Sequence, residues 1–173
     1  GVYKIKLEKG PYVDVYCKEG FTLIQKRSSK ELDFNKTWEE YKAGFGSVNG
    51  DYWMGLEMIH IMTNKSNYAL HVDLGAADNV SFVADYAKFS VHSEADNYTL
   101  HVSGFTGTAG NALQYTGGGG KLMHNGMPFS TPGRDNEQSD TNCAQKYGSG
   151  WWFNSCFEAN LNGKYIEQTS SEP

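Results

Sequence analysis

Long apolar runs and clusters of positive charge are both missing from this sequence. No apolar stretch approaches the roughly 20 residues that a membrane-spanning helix needs, and no run of lysine and arginine is longer than the pair Lys26-Arg27. The formal net charge is −5. These absences argue against a membrane-embedded protein, and against nucleic acid or an anionic membrane as the main partner.

Recognisable catalytic motifs are also missing. The sequence has no HExxH, GxSxG or phosphate-binding loop, and its five histidines are dispersed along the chain. His71 and His101 lie in strand-like repeats, LHVDL and LHVSG, without a motif partner, which indicates ordinary sheet residues. We therefore predict that the protein is not an enzyme.

Cysteine is scarce, with three residues in the chain. Their wide spacing, without a CxxC pair or clustered histidines, excludes a typical zinc site. Cys143 and Cys156 can instead close a loop, and Cys17 has no obvious partner. N-glycosylation sequons occur at Asn35, Asn64, Asn79 and Asn97. A disulfide-closed loop together with several sequons predicts a secreted, extracellular protein.

Hydrophobic and aromatic residues are present at 39% and 14%, which is typical of a folded chain. Period-two alternation predicts strands over Val2–Lys6, Tyr12–Tyr16, Phe21–Lys26, Tyr68–Leu74, Val80–Val91 and Tyr98–Phe105. Helical spacing predicts helices between Phe34 and Phe45, over Leu56–Thr63, and a short one within Ala109–Tyr115. Gly117–Gly120 is expected to be a flexible connector, and regular structure is expected to fade from Met123 onward.

These elements predict an α+β fold. A small N-terminal antiparallel sheet unit is expected over about residues 1–46, a central antiparallel sheet with short helices over 47–122, and a loop-rich C-terminal lobe over 123–173. Ser130–Tyr165 shows almost no apolar periodicity, so we expect a sulfur bridge and a cation, rather than burial of one face, to hold it. Loops of this length in a compact domain are usually functional.

The chain resembles the fibrinogen C-terminal domain family in several stretches, which occur in the same order as in the family. The resemblance is to its invertebrate lectin-like members in particular, such as molluscan fibrinogen-related immune proteins. The matching stretches include Gly1–Ile5, Val15–Cys17, Phe21–Arg27, Trp53–Leu56, Phe129–Thr131, Asn142–Ala144, Gly150–Trp152, Cys156 and Asn160–Tyr165. The resemblance implies one fibrinogen-related domain over 1–173. Family members begin earlier, with a cysteine that pairs with the match of Cys17, and continue past the match of Tyr165. We therefore expect a domain without its start and its end.

A cation site is predicted ahead of the first loop cysteine. Asp135, Glu137, Ser139 and Thr141 alternate along the chain, and two carboxylates with two backbone carbonyls suit Ca²⁺, which takes about six to eight oxygen ligands. From the residues alone, a solvated acidic loop is the alternative. The resemblance implies the family calcium site at these positions, with Glu137 where the family usually has aspartate.

The resemblance also implies a small pocket for an acetyl group in the same lobe. Tyr147 matches a pocket tyrosine, and Ser155-Cys156 matches a cis peptide bond that orients backbone donors. Phe157 stands where many members carry a histidine. The alternative interpretation is that these aromatic side chains form the core of the lobe, because buried aromatic residues dominate small cores.

Together these features predict a calcium-supported module that binds acetylated groups or other carbohydrate on microbial or host glycans, in innate immune pattern recognition. Several copies in a full-length homo-oligomer would raise a weak single-site affinity. The alternative is an extracellular protein-interaction or matrix module of the clotting type, without glycan binding. A third interpretation is a structural paralogue with a decayed pocket, for which Glu137 and Phe157 are the evidence.

Overall fold

Small antiparallel sheets and short helices make up the regular structure of the protein. The structure is a computed structural model, and it describes residues 1–6, 12–76 and 80–166. The strands are β1 Val2–Lys6, β2 Tyr12–Lys18, β3 Phe21–Thr22, β4 Gln25–Lys26, β5 Phe45–Gly46, β6 Tyr52–Trp53, β7 Tyr68–Gly75, β8 Ser81–Val91 and β9 Leu100–Gly107. The helices are α1 Trp38–Ala43, α2 Leu56–Thr63 and α3 Cys143–Tyr147. None of the helices in these described ranges is long and apolar enough to cross a bilayer.

The strands form sheets in the orders β1-β2-β3, β4-β6-β5 and β7-β8-β9. The predicted N-terminal pair is confirmed, with β1 and β2 antiparallel. The prediction of one strand over Phe21–Lys26 is wrong, because the segment divides between two sheets. β3 pairs with β2, whereas β4 pairs with β6. The backbone of Ile24 marks the change, since its carbonyl accepts a hydrogen bond from Met54 N–H at 2.9 Å.

Helix α1 is shorter than the aromatic spacing predicts. Thr37 and Glu40 form a capping box at its start, in which each side chain accepts a hydrogen bond from the backbone N–H of the other residue. At its end, Gly44 has a φ of 94°. A side chain there would lie 2.5 Å from the carbonyl oxygen of Met54, so only glycine permits this approach between the two segments.

The residues at the two ends of that aromatic pattern are not helical, yet they join one cluster. The rings of Phe34 and Phe45 lie 5.0 Å apart, and the rings of Phe45 and Tyr41 lie 5.1 Å apart. The spacing therefore reflects convergence on a common core rather than a continuous helix.

The central sheet follows the predicted order of strands, and α2 has the predicted bounds. β9 begins at Leu100 rather than at Tyr98, because Asn97 and Tyr98 adopt left-handed backbone angles, with φ of 51° and 50°. The segment predicted as a short helix contains a 3₁₀ turn at Ala112–Gln114. The predicted glycine connector Gly117–Gly120 is kinked, because Gly118 and Gly119 adopt left-handed φ values of 62° and 74°.

Aromatic residues of the C-terminal lobe lie in the same hydrophobic core as the rest of the chain. Phe129, Trp152 and Phe153 are at most 4% exposed. The ring of Phe129 lies 5.1 Å from Tyr41 and 5.1 Å from Trp152, and Trp152 Nε1–H donates to the carbonyl oxygen of Tyr98 at 2.8 Å. The expectation that this lobe lacks a buried face is therefore wrong, and burial of aromatic rings fixes it to the core.

Candidate ligand and cation site

Cys143 and Cys156 form the predicted disulfide bond, with their Cα atoms 5.7 Å apart. The bond joins the first residue of α3 to the loop that follows the buried Trp-Trp-Phe segment. The peptide bond Ser155-Cys156 is cis, as the resemblance implies. Cys17 is a free, half-buried thiol.

Helix α3 interrupts the segment in which regular structure was expected to fade. Asn142 caps its start, because the side-chain Oδ1 accepts a hydrogen bond from Gln145 N–H at 2.7 Å. Gly148 ends it in a left-handed conformation, with a φ of 61°. An asparagine cap and a terminal glycine were present in the sequence as signals for this helix.

The carboxylate of Glu137 is directed toward the start of α3. Its Oε1 accepts a hydrogen bond from Cys143 N–H, while Oε2 is buried without a hydrogen-bond partner in the described part of the chain. Burial raises the pKa of Glu137; the Cys143 N–H opposes this effect, and the carboxylate of Asp135 adds to it. The N–H of Ala144 and the hydroxyl of Ser130 also lower this pKa. The position of this carboxylate beside that of Asp135 suits a hard cation as a further partner.

The other predicted cation ligands lie on the same short loop. Asp135 is exposed, and its Oδ1 accepts a hydrogen bond from Glu137 N–H at 3.2 Å. Thr141 N–H donates to Ser139 Oγ at 3.2 Å, which tightens the loop ahead of α3. Within residues 1–6, 12–76 and 80–166, no three acidic, histidine or cysteine side chains are grouped to hold a metal. The predicted ligand set therefore depends on the backbone carbonyls of Ser139 and Thr141, and two carboxylates with carbonyls fit a hard cation.

The predicted ligand residues after α3 form an aromatic corner. The ring of Tyr147 lies 4.7 Å from that of Phe157 in an edge-to-face arrangement, and the buried ring of Phe153 lies 5.8 Å from Phe157. Tyr147 is 38% exposed, and Lys146 Nζ lies 5.3 Å from its ring centroid. The corner thus has a buried apolar floor and an exposed rim.

The loop beside this corner contains both paired and unpaired backbone N–H groups. Asn154 N–H donates to the carbonyl of Cys156 at 2.7 Å, and Ser155 N–H donates to the carbonyl of Lys121 at 2.9 Å. Over the described residues, no acceptor is paired with the N–H of Cys156 or Phe157. Two consecutive N–H groups of this loop are therefore without an acceptor among the described residues.

His124 holds this loop through hydrogen bonds, a role that the sequence analysis did not predict. The side chain is fully buried. Its Nε2 accepts hydrogen bonds from the N–H groups of Glu158 and Ala159, each at 3.1 Å, so the ring proton lies on Nδ1, which donates to the carbonyl of Trp152 at 2.8 Å. Burial lowers the pKa of His124, although the hydrogen bond to Trp152 opposes this effect. The imidazole therefore bridges the two ends of the loop in its neutral form.

A polar cluster connects the cation loop with α1. The guanidinium of Arg134 lies 3.8 Å from the ring centroid of Trp38, and its Nη2 donates to Asn97 Oδ1 at 2.7 Å. Glu94 accepts hydrogen bonds from Trp38 Nε1–H at 2.8 Å and from Lys42 Nζ at 2.5 Å. The residue directly before Asp135 is thus fixed by contacts with α1 and with the turn before β9.

The two histidines predicted as ordinary sheet residues lie on strands of the central sheet and contact neighbouring side chains. His71 on β7 lies 2.6 Å from Asp85 Oδ1, and its ring is 5.0 Å from the ring of Phe21. His101 on β9 lies 4.2 Å from the ring of His92. Their positions agree with that interpretation.

The family model of the C-terminal globular domain of fibrinogen beta and gamma chains matches residues 1–172. The human fibrinogen alpha chain is 41% identical over 186 residues, which cover 100% of this chain and 21% of that relative. Bovine fibrinogen-like protein 1 is 41% identical over 178 residues, which cover 95% of this chain and 56% of that relative. The chain thus spans at most 56% of the length of these two relatives.

Solved structures agree with the fold. The fibrinogen-like globe domain of human ANGPTL2 superposes with a TM-score of 0.90 at 34% identity, covering 100% of this chain and 79% of that one. The lamprey fibrin D-dimer, solved with the peptide ligand Gly-His-Arg-Pro-amide, superposes with a TM-score of 0.90 at 37% identity, covering 97% of this chain and 57% of that one. The predicted resemblance and the α+β fold are confirmed. Fibrinogen-like domains are non-enzymatic binding or structural modules, which confirms the prediction of a non-enzyme.

Proposed function

Because this chain belongs to the family of fibrinogen C-terminal globular domains, we propose that it is a secreted, calcium-supported, lectin-like module that binds acetylated groups or carbohydrate. One observation carries the proposal. The unpaired N–H groups of Cys156 and Phe157 lie beside the aromatic corner of Tyr147 and Phe157. A carbonyl oxygen can accept from such donors while a methyl group contacts the rings, since small-molecule pockets combine apolar walls with a few placed polar groups.

Calcium is the cofactor that we propose for this module. Asp135 and Glu137 would hold it through their carboxylates, and Ser139 and Thr141 through their backbone carbonyls. The partly buried carboxylate of Glu137, which lies close enough to Asp135 for the two charges to interact, supports this assignment. Asp135 and Glu137 would hold the cation, whose positive charge would fix the loop, and Glu137 connects the loop to the start of α3 by accepting a hydrogen bond from Cys143 N–H.

The biological setting that we propose is recognition of microbial or host glycans in innate immunity. A single small pocket gives weak affinity, and linked sites raise the overall affinity by about 10²–10⁴ when geometry permits simultaneous binding. A homo-oligomeric full-length protein would provide that multivalency. An extracellular location agrees with the disulfide bond of the lobe.

Substitution of Tyr147 by alanine is expected to weaken binding to an N-acetylglucosamine-coated surface by about tenfold, which corresponds to about 1.4 kcal/mol. The ring provides one wall of the corner and is 38% exposed, so the fold should tolerate its loss. EDTA is expected to weaken the same binding at least tenfold, and added Ca²⁺ should restore it. Surface plasmon resonance on acetylated and matched non-acetylated sugars measures both effects.

Tyr115→Ala is the matched control for this experiment, because Tyr115 is similarly exposed, at 40%, and lies outside the lobe. Its binding should equal that of the unsubstituted chain. The proposal fails if acetylated and non-acetylated surfaces bind equally, or if EDTA has no effect on an acetyl-specific signal.

The second candidate function is recognition of a peptide or protein. The similarity to the lamprey fibrin D-dimer, whose structure holds a peptide ligand, favours it. Competition separates the candidates: Gly-His-Arg-Pro-amide should not displace the chain from the acetylated surface if glycan binding is the function. Tight binding of the peptide, together with no signal on any glycan surface, would favour the peptide function instead.

A further inference from the structure

The described sequon asparagines differ in how their side-chain amides are used. Asn35 is exposed, and over the described ranges its side chain makes no hydrogen bond. Asn64 Nδ2 donates to the carbonyls of His60 and Val91 at 2.9 and 2.7 Å. Because an N-linked glycan replaces one hydrogen of that nitrogen, Asn64 would lose one of these bonds on modification. Asn35 would lose none.

The other two sequons are less suitable or lie elsewhere. Asn97 is half-buried, and its Oδ1 accepts a hydrogen bond from Arg134 at 2.7 Å. A glycan there would compete with the contacts that fix Arg134 on Trp38. Asn79 lies outside the described residues. Asn35 is therefore the described sequon best able to carry a glycan in the folded protein.

Asn35 also borders the candidate site. A groove of about 340 Å³ runs between residues 35–39 and the turn at Pro132-Gly133, which leads into the cation loop. The Nδ2 of Asn35 also lies 3.7 Å from the position that a Cβ atom on Gly148 would occupy. Gly148 directly follows Tyr147, so Asn35 lies close to the backbone beside Tyr147 as well as to the turn that leads into the cation loop.

We propose that Asn35 carries an N-linked glycan whose first sugar lies in this groove and whose outer sugars screen the Tyr147 rim from large ligands. The groove volume is at the lower end of the roughly 300–1,000 Å³ that small-molecule sites occupy, which suits one or two sugar units. In the transfer, a bond forms between Asn35 Nδ2 and C1 of the sugar. The bond from C1 to the lipid pyrophosphate donor breaks, and the displaced amide proton leaves with the pyrophosphate.

Such a glycan would regulate access to the proposed binding site, so the binding measurements below rest on the proposed lectin function. A glycan attached to Asn35 acts by steric exclusion, so its effect on binding depends on the size of the ligand. A small free sugar should reach the corner past the glycan, whereas a densely coated surface should not. Removal of the glycan should therefore change the size dependence of binding more than the affinity for a monosaccharide.

The test uses the full chain secreted from eukaryotic cells. Glycopeptide mass spectrometry is expected to show higher occupancy at Asn35 than at Asn64 or Asn97. Asn35→Gln is expected to raise binding to an N-acetylglucosamine-coated surface about tenfold and to change the affinity for free N-acetylglucosamine less than threefold. A ligand-free readout accompanies it: nitration of Tyr147 by tetranitromethane should be several times faster in Asn35→Gln.

Ser66→Ala is the matched control, since it removes the Asn64 sequon and leaves the hydrogen bonds of Asn64 in place. It should alter neither surface binding nor the nitration of Tyr147. An unmodified Asn35, or equal nitration in the glycosylated and Asn35→Gln chains, would overturn this inference. If nitration responds and no variant binds an acetylated surface, the screening stands and the lectin function is what fails.

Discussion

Replacement of Trp152 by alanine is expected to lower the free energy of unfolding by about 3–5 kcal/mol. The ring is 4% exposed and packs edge-to-face on Phe129 at 5.1 Å. Alanine would leave a cavity where the C-terminal lobe meets the remainder of the core, and would leave the carbonyl of Tyr98 without its donor. Urea unfolding followed by circular dichroism measures the change.

One variant and one chemical treatment locate the origin of that loss. Trp152→Phe keeps an aromatic ring but removes the Nε1–H donor and part of the ring volume, so it should cost less than the alanine variant, about 1–3 kcal/mol. Reduction of the Cys143–Cys156 disulfide should cost about 3 kcal/mol in the chain-entropy model. A loss below about 1 kcal/mol for Trp152→Ala would mean that the disulfide, rather than aromatic packing, holds the lobe.

Acidification is expected to destabilise the protein through His124. Burial lowers the pKa of this imidazole in the folded state, whereas the unfolded value is about 6.5. The unfolded chain therefore binds more protons between the two values, so stability is complete above about pH 6.5 and falls as pH decreases toward the folded pKa. The slope contributed by one proton is at most about 1.4 kcal/mol per pH unit. Urea unfolding at pH 7.5, 6.5 and 5.5 measures it.

His124→Gln removes this titration and is expected to be less stable by roughly 2–4 kcal/mol at pH 7.5, because buried backbone groups of the loop lose partners. Its stability should depend less on pH. His101 also has a lowered pKa, mainly through burial and then through His92, so His101→Gln serves as the comparison and should keep most of the slope. A wild-type slope that persists in His124→Gln would contradict the assignment.

Local patterns in the sequence predict the N-terminal strand pair, α2 and the order of the central strands, because the signal for each lies in consecutive residues. The aromatic spacing of Phe34, Trp38, Tyr41 and Phe45 misleads as to helix length, since residues from a helix and from its non-helical flanks converge on one cluster. Phe21–Lys26 misleads for a related reason: periodicity reports an extended chain and not the sheet to which each half belongs.

Parts of the candidate site could also be predicted from the sequence, whereas other parts could not. The disulfide and the cis bond follow from the resemblance, and α3 could have been predicted from Asn142 and Gly148. The role of His124 could not, because its partners Trp152, Glu158 and Ala159 lie 28, 34 and 35 residues away. The burial of the C-terminal lobe could not be predicted either. Its aromatic side chains come from irregular backbone, in which buried residues do not recur at a regular spacing.

The position of Cys143 has one further thermodynamic consequence. Its N–H is bonded to Glu137, and its sulfur is bonded to Cys156, whose own N–H belongs to the aromatic corner. Two events that bias the same short covalent path are energetically linked, and linkage is reciprocal. If the proposed cation and small molecule both bind, any factor by which the cation raises the affinity for the small molecule must equal the factor by which the small molecule raises the affinity for the cation.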